Sequence, residues 1–334
     1  MRMIQNKNPL QLLQAHHKVA LITHVHPDGD AYGSLLGLLH LLKGKVQQIQ
    51  AFAEEDQHSK FSFLPGFGEI RCVSGLVASD FDYCIALDCG SAQRACGIES
   101  FLKTVKQITI INVDHHISNT IFAHINAVDV ESSSTSELVA SLSNEMGWEL
   151  SEDVATCLLT GIVMDTGHYL YENTTDKTHE IAAHLLRVGA DQDLIRYNLY
   201  QNRPVQNVRL MVHLIDHMEL LSNGRAVILS VHDEDMQQFD VAYEDLDEMI
   251  AYARDIAGVE LAVIFKELSK TETKVSFRSK CWFDVNELAS QLGGGGHQRA
   301  AGAVIENSLQ EAKKTLIPMI EVLFAEVTHE NGSV

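Results

Sequence analysis

Basic residues are the scarce class in this chain. Its 334 residues hold 25 Lys and Arg against 45 Asp and Glu, a formal charge of −20. That balance excludes a protein that coats long DNA or RNA, because polyanion binding draws on basic surface and counterion release. It leaves room for a short anionic ligand held at one locally neutralised place. Cysteine is sparse too: none of the six forms a C-x-x-C pair, so neither a zinc knuckle nor a dithiol redox motif is present and reduced thiols are expected. No apolar run approaches a membrane span, since residues 35–42 are already broken by Gly37 and His40. The first 22 residues lack an apolar signal core with a cleavage site, and a cytoplasmic chain is the expectation. No internal repeat or low-complexity segment occurs.

What is present is ordinary globular material, 46% hydrophobic and 21% charged, enough for about two domains. Residues 18–23, 46–53, 83–88 and 108–113 read as buried strands and residues 31–43 as a helix. That alternation predicts a parallel sheet covered on both faces. Residues 134–148, 152–165, 176–189 and 205–220 read as helices. After the Asn223-Gly224 turn signal, a strand (226–231), a helix (245–256), a strand pair (259–268 and 273–278) and a last helix (310–326) predict a smaller α+β domain. The expected organisation is an α/β catalytic domain over 1–190, a helical linker over 191–224 and a second domain over 225–330. The eight acids within 233–248 read as a solvated helix face, with a cation or partner site as the alternative.

Chemistry concentrates where strands end, the usual ligand edge of a parallel sheet. His24, His26, Asp28 and Asp30 follow the first strand. Asp88 ends a second, and Asp114-His115-His116 end a third. Asp165 sits late in an apolar helix, costly there unless paired or coordinating. Mixed Asp/His donors without thiolate suit Mn²⁺, and less well Mg²⁺ or Zn²⁺. Four carboxylates balance two divalent cations, an arrangement that acidifies water and clamps a phosphoryl oxygen. Further along, Gly293, Gly294, Gly295 and Gly296 lead into His297 and Arg299. The glycines predict backbone amides gathered around an anion, with Arg278 from the preceding strand as a further donor.

Taken in order, HVHPDGDAYGS, LDCG, VDHH, MDTG and GGGGHQRAAG resemble the DHH phosphoesterase superfamily with its DHH-associated C-terminal domain. Within it, the chain is most similar to the bacterial group of oligoribonucleases and 3′-phosphoadenosine-5′-phosphate (pAp) phosphatases. The resemblance implies two divalent cations, Mn²⁺ first: one on His24 and Asp28, the other on Asp30, His115 and Asp165, with Asp88 bridging. It implies that Asp114 supports this cluster and that His116 works at the scissile phosphate. Arg278, Gly294, Gly295, Gly296, His297 and Arg299 would grip the substrate's end, and Arg94 would face the same cleft between the domains. His26 matches no ligand position. The implied activity is hydrolysis of very short RNA, especially linear dinucleotides such as pGpG or pApA, to 5′-mononucleotides. Hydrolysis of pAp or of cyclic dinucleotides is the alternative. Neither a long nucleic acid nor a membrane is an expected partner, and the oligomeric state stays open, a homodimer included. Residues 261–300 carry six basic against four acidic side chains, a local excess suited to a short anion.

Overall fold

The structure is a computed structural model that describes residues 8–54, 60–98, 108–241, 246 and 249–330, apart from the side chains of 297 and 326–330. The chain divides into two compact units between Asn202 and Arg203.

The first unit is built on a six-stranded sheet in the order β3-β2-β1-β4-β5-β6. Its strands are β1 (Lys18–Ile22), β2 (Gln48–Ala53), β3 (Arg71–Cys72), β4 (Tyr83–Leu87), β5 (Thr109–Asp114) and β6 (Ile125–Val128). Every pairing is parallel. Both faces are covered, so the strands read as continuous apolar runs. In β1, Val19 and Leu21 join one buried cluster, while Ala20 and Ile22 join another on the opposite face. The chain runs outward from β1 through β2 and β3, then returns to β4 on the other side. Between β1 and β4 the connections part in opposite directions and open a crevice at the carboxyl ends of the strands.

Helices α1 (Gly29–Leu42), α2 (Thr135–Glu145), α3 (Glu152–Asp165), α4 (Asp176–Val188) and α5 (Gln192–Tyr200) belong to this unit. Their starts are written locally. Asp28, Ser134, Ser151, Thr175 and Asp191 each cap a helix by accepting from a backbone amide of its first turn. Helix α1 is buried at nearly every position, because it packs directly on α3. A Cβ on Gly33 would come within 2.6 Å of the Cys157 carbonyl oxygen and 2.9 Å of the Gly161 nitrogen. The two backbones touch there, and only hydrogen fits.

The second unit holds a mixed sheet in the order β11-β12-β10-β9-β8-β7. Its strands are β7 (Glu219–Leu221), β8 (Ala226–Val231), β9 (Leu261–Ser269), β10 (Glu272–Ser279), β11 (Gly295–His297) and β12 (Ala300–Ile305). Helices α9 (Val285–Gln291) and α10 (Leu309–Glu330) cover one face. Helices α6 (Val205–Asp216), α7 (Asp233–Phe239) and α8 (Met249–Arg254) cover the other.

Two sequence expectations change, and a third is seen in part. The helix read over 205–220 ends at Asp216, and residues 219–221 form β7 against β8. Asn223 takes φ +59°, and this tight turn folds 219–221 back onto the open edge of β8. The helical stretch expected as a linker divides: Ile195 and Leu199 of α5 pack in the first unit's core, and Leu210 and Leu214 of α6 in the second's. The acidic stretch is partly α7, where Asp233, Glu234 and Asp235 fill the first turn, the position a helix dipole favours for acids. Asp235 accepts from the His232 amide at 2.9 Å and lies 3.2 Å from His213. Residues 242–245, 247 and 248 of that stretch, and so the start of the helix read over 245–256, lie outside the described residues.

Gly33→Ala should destabilise the protein by about 1–3 kcal/mol through overpacking, even though alanine favours a helix by about 1 kcal/mol. Gly68→Ala, with nothing near its Cβ, should be close to neutral. Urea denaturation of both variants checks this, and equal midpoints would contradict a backbone contact at Gly33.

Candidate metal centre

The carboxyl ends of β1, β4 and β5 deliver the acidic and imidazole groups to the crevice. After β1, the chain turns through Pro27 into α1. Asp28 caps that helix, its Oδ1 accepting from the amides of Asp30 and Ala31 at 3.1 Å each. Asp30 therefore sits in the first turn of α1, 1% exposed. Asp88 follows β4 with φ +61°, a left-handed turn that Asp tolerates better than bulkier residues. It lies one strand from His24 on one side and one strand from Asp114-His115-His116 on the other. Asp165 ends α3.

Three groups of donors result. His24, Asp28 and Asp88 lie with ligand atoms within 4.8 Å of one another, as do Asp30, His115 and Asp165, and also Asp88, His115 and His116. Asp88 belongs to both sides of the cluster. Its Oδ2 is 3.5 Å from His24 Nε2, and its Oδ1 is 3.7 Å from His115 Nε2. His115 Nε2 also lies 3.2 Å from Asp165 Oδ2. Behind these groups, His116 Nδ1 is 2.6 Å from Asp114 Oδ1. Asn119 donates to the other Asp114 oxygen at 2.5 Å.

The electrostatics call for cations. Carboxylates within 4.8 Å of each other repel by about 3–4 kcal/mol even at an effective dielectric of 20. Burial, and then the charge of Asp88, pushes the Asp30 carboxyl up to about 7. Burial together with the charges of Asp30 and Asp88 raises Asp165 well above the usual range. Burial alone would lower His24, but Asp28 and Asp88 hold it at about 11. Burial would raise Asp88, yet its hydrogen bond to His24 and the neighbouring imidazoles keep it far below the usual carboxylate range. Without a metal, protons do the neutralising. Hard oxygen and imidazole donors, buried or half-buried except for the exposed Asp28 and in excess of negative charge, fit divalent cations.

Several residues that shape this centre carried no motif signal. The amides of Thr135 and Ser136, at the start of α2, donate to Asp30 at 2.6 and 2.9 Å. That helix N-terminus favours negative charge. Thr135 Oγ1 donates to Asp88 at 3.0 Å. The Ser132 carbonyl lies 3.3 Å from His115 Nδ1, fixing the ring as such partners do for metal-ligating histidines. Gly161 is bare because a Cβ would stand 2.6 Å from Asp30 Oδ1 and closer still to Ser136. Ser134, whose hydroxyl accepts from the Glu137 amide, caps the start of α2. His26 stays out of the cluster: its side chain is 94% exposed, beside Glu54 at 3.6 Å. Arg94 is exposed, and its carbonyl accepts from the Val25 amide at 2.8 Å, next to the His24 loop.

The glycine segment lies in the second unit and is an edge hairpin rather than an open amide cradle. The amides of Gly293 and Gly294 donate to Ser290 and Ala289 carbonyls, and that of Gly296 to Asn286 Oδ1 at 2.9 Å. A Cβ at Gly294 would meet the Gly302 carbonyl oxygen at 2.1 Å, so glycine here permits β11 to lie against β12. Gly295 has only Asn286 Oδ1, 3.8 Å away, near its missing Cβ. Register puts His297 opposite Ala300, and Ala300 opposite Arg278. Arg278 Nη1 donates to the Phe277 carbonyl and Arg299 Nη1 to the Phe283 carbonyl. The Arg299 Nε is buried and has no hydrogen-bond partner among the described residues. The side chain of His297 lies outside the described set.

With the donors in place, the likenesses become informative. A family profile described as "DHH family, N-terminal domain" matches residues 18–162, and one described as "DHHA1 domain" matches residues 223–326. The bifunctional oligoribonuclease and PAP phosphatase NrnA of Thermus thermophilus is 32% identical over 290 residues, 86% of this chain and 84% of that protein. The chain belongs to the DHH family. It is a hydrolytic phosphodiesterase of that family. The protein of the same description from Bacillus subtilis is 28% identical, over 92% of this chain and 95% of its own. A solved exopolyphosphatase-related protein from Bacteroides fragilis superposes with a TM-score of 0.85 at 27% identity, covering 92% and 94% of the two chains. The first matched segment holds His24, Asp28, Asp30, Asp88, His115 and His116. Asp165 lies three residues beyond it. No helix among the described residues is long and apolar enough to cross a membrane.

Divalent cation binding should release protons, because His24, Asp30 and Asp165 hold them near neutral pH and ligands must give them up. Affinity should therefore rise with pH. Calorimetry in buffers of different ionisation enthalpy reads the release directly, and buffer-independent heats would contradict the assignment. The same cation should raise the melting temperature, and chelation should lower it.

Proposed function

We propose that this protein is a Mn²⁺-dependent phosphodiesterase that degrades very short oligonucleotides, above all linear dinucleotides such as pGpG or pApA, to 5′-mononucleotides. The observation that carries the reading is Asp88, which offers one carboxylate oxygen to each of two neighbouring donor sets. His24 and Asp28 would hold one cation, Asp30, His115 and Asp165 the second, and Asp88 would touch both. When bound, such a pair supplies an acidified water and a clamp for the phosphoryl oxygens.

The chain's own residues do the rest. Asp114, anchored by Asn119, fixes the His116 ring through Nδ1 and favours its charged form. Nε2 of His116 is then the atom that stabilises the phosphate and hands a proton to the leaving oxygen. Arg278, His297 and Arg299 hold the substrate's terminal phosphate, with Gly294, Gly295 and Gly296 giving the close hairpin that presents them. Arg94, beside the His24 loop, is a further candidate contact for the substrate. Gripping one end limits substrate length, and the chain's excess of acids disfavours longer polyanions.

A second reading, hydrolysis of pAp at the same centre, is favoured by one observation: the Thermus and Bacillus relatives are both described as PAP phosphatases as well as oligoribonucleases.

Turnover of 2- to 10-mers and of pAp, with Mn²⁺ or Mg²⁺, tests both readings through kcat/KM. Dinucleotides should lead, with a steady fall as length grows. A 10-mer cleaved faster than a 2-mer would sink the length argument, and pAp ahead of every dinucleotide would favour the second reading. Asp114→Ala and His115→Ala should each lose roughly 10- to 100-fold or more of the activity, the usual toll for metal ligands and their supports. Full turnover in both would place the chemistry elsewhere.

A further inference from the structure

The first unit contains a cavity of about 260 Å³ that the metal centre does not use. It lies among α3, α4, α5 and the turn that follows Asp165. Leu159, Val163 and Ile195 give it apolar walls. Two aromatic pairs stand at its rim. His168 stacks on Tyr200, with ring centroids 4.7 Å apart and planes 16° from parallel. Tyr169 stacks on His179 at 5.2 Å and 26°. Gln192 adds an amide with both donors and an acceptor, and Arg196 a guanidinium.

The chemistry of this lining is selective. Apolar walls with flat aromatic rims suit a planar ring. A side-chain amide at the edge suits a ring that carries both donors and acceptors. The volume lies just below the roughly 300 Å³ at which drug-sized sites begin, room for one nucleoside rather than for a dinucleotide. The rim is also joined to the metal centre. Gly167, His168 and Tyr169, directly after Asp165, take φ values of +54°, +63° and +65°. A non-glycine pair held in the left-handed region is costly and is kept only where the surroundings enforce it. Val163, a wall of the cavity, is two residues before Asp165 on the same helix.

We infer that this cavity is a nucleobase slot, taking the base and ribose of one nucleoside monophosphate. The inference rests on the proposed activity for its source of ligand and names a base-reading element within it. Two sources share this chemistry: one nucleotide of the bound substrate, and the free mononucleotide product. Base–aromatic stacking is sequence-tolerant, so purines of either kind fit.

Ala183 lines the cavity from an exposed position on α4, and Gln192 from an exposed position on α5. Ala183→Trp fills the slot and Gln192→Ala removes its amide, both in the full chain with metal present. Two readouts are taken: equilibrium dialysis of GMP and AMP, and the ratio of kcat/KM on pGpG or pApA to that on the base-free diester bis(4-nitrophenyl) phosphate. If the substrate's own base occupies the slot, that ratio falls roughly tenfold in Ala183→Trp. If the free product occupies it, the ratio holds while GMP and AMP affinity falls roughly tenfold. If neither changes in either variant, the inference is overturned. A wild type that binds mononucleotide through this slot yet leaves dinucleotides uncut would overturn the proposed activity and keep the slot.

Discussion

Four aspartates crowded at one edge of a parallel sheet are the constraint around which the first unit is organised. Asp28 with Asp88, and Asp30 with Asp165, bring carboxylate oxygens within 4.8 Å of each other, where a charged pair repels by about 3–4 kcal/mol even at an effective dielectric of 20. The protein brings in imidazoles from β1 and β5, a helix N-terminus behind Asp30 and the Thr135 hydroxyl on Asp88. These lessen the repulsion and leave an excess that divalent cations remove. The perturbed ionisation of the whole group follows from that excess.

The topology explains why the donors can meet. They come from residues 24 to 165, joined only because β1, β4 and β5 are neighbours whose carboxyl ends open on one crevice. Helix α3 must reach the same place with Asp165 at its end. It does so by lying against α1 closely enough that Gly33 meets Cys157 and Gly161 meets Asp30 and Ser136. Two glycines with no chemistry of their own therefore set the spacing between Asp30 and Asp165. Stability and site geometry are joined at that helix contact.

The second unit uses glycine differently. The run 293–296 reads as an amide cradle because glycine permits close approach to a ligand. In the fold, the close approach is to β12 and the amides of Gly293, Gly294 and Gly296 have partners inside the unit. Composition cannot distinguish backbone near ligand from backbone near backbone. Of the basic residues in 261–300, Arg278 and Arg299 flank that hairpin, while Lys266 is buried and Lys270 pairs with Glu267.

The sequence by itself determined the elements and the donors. Apolar runs marked the buried strands, and Asp or His where strands end marked the metal-binding candidates. These features are local, set by dihedral preference, side-chain period and the cost of burying charge. The tertiary structure alone decided which oxygen of Asp88 faces which histidine, that α2 points its amides at Asp30, and that residues 219–221 pair as a strand. It alone decided, too, that His168, Tyr169, His179 and Tyr200 rim one cavity. Those outcomes depend on packing between segments far apart in the chain, where a helix shifted by one residue changes every contact while leaving the sequence pattern the same.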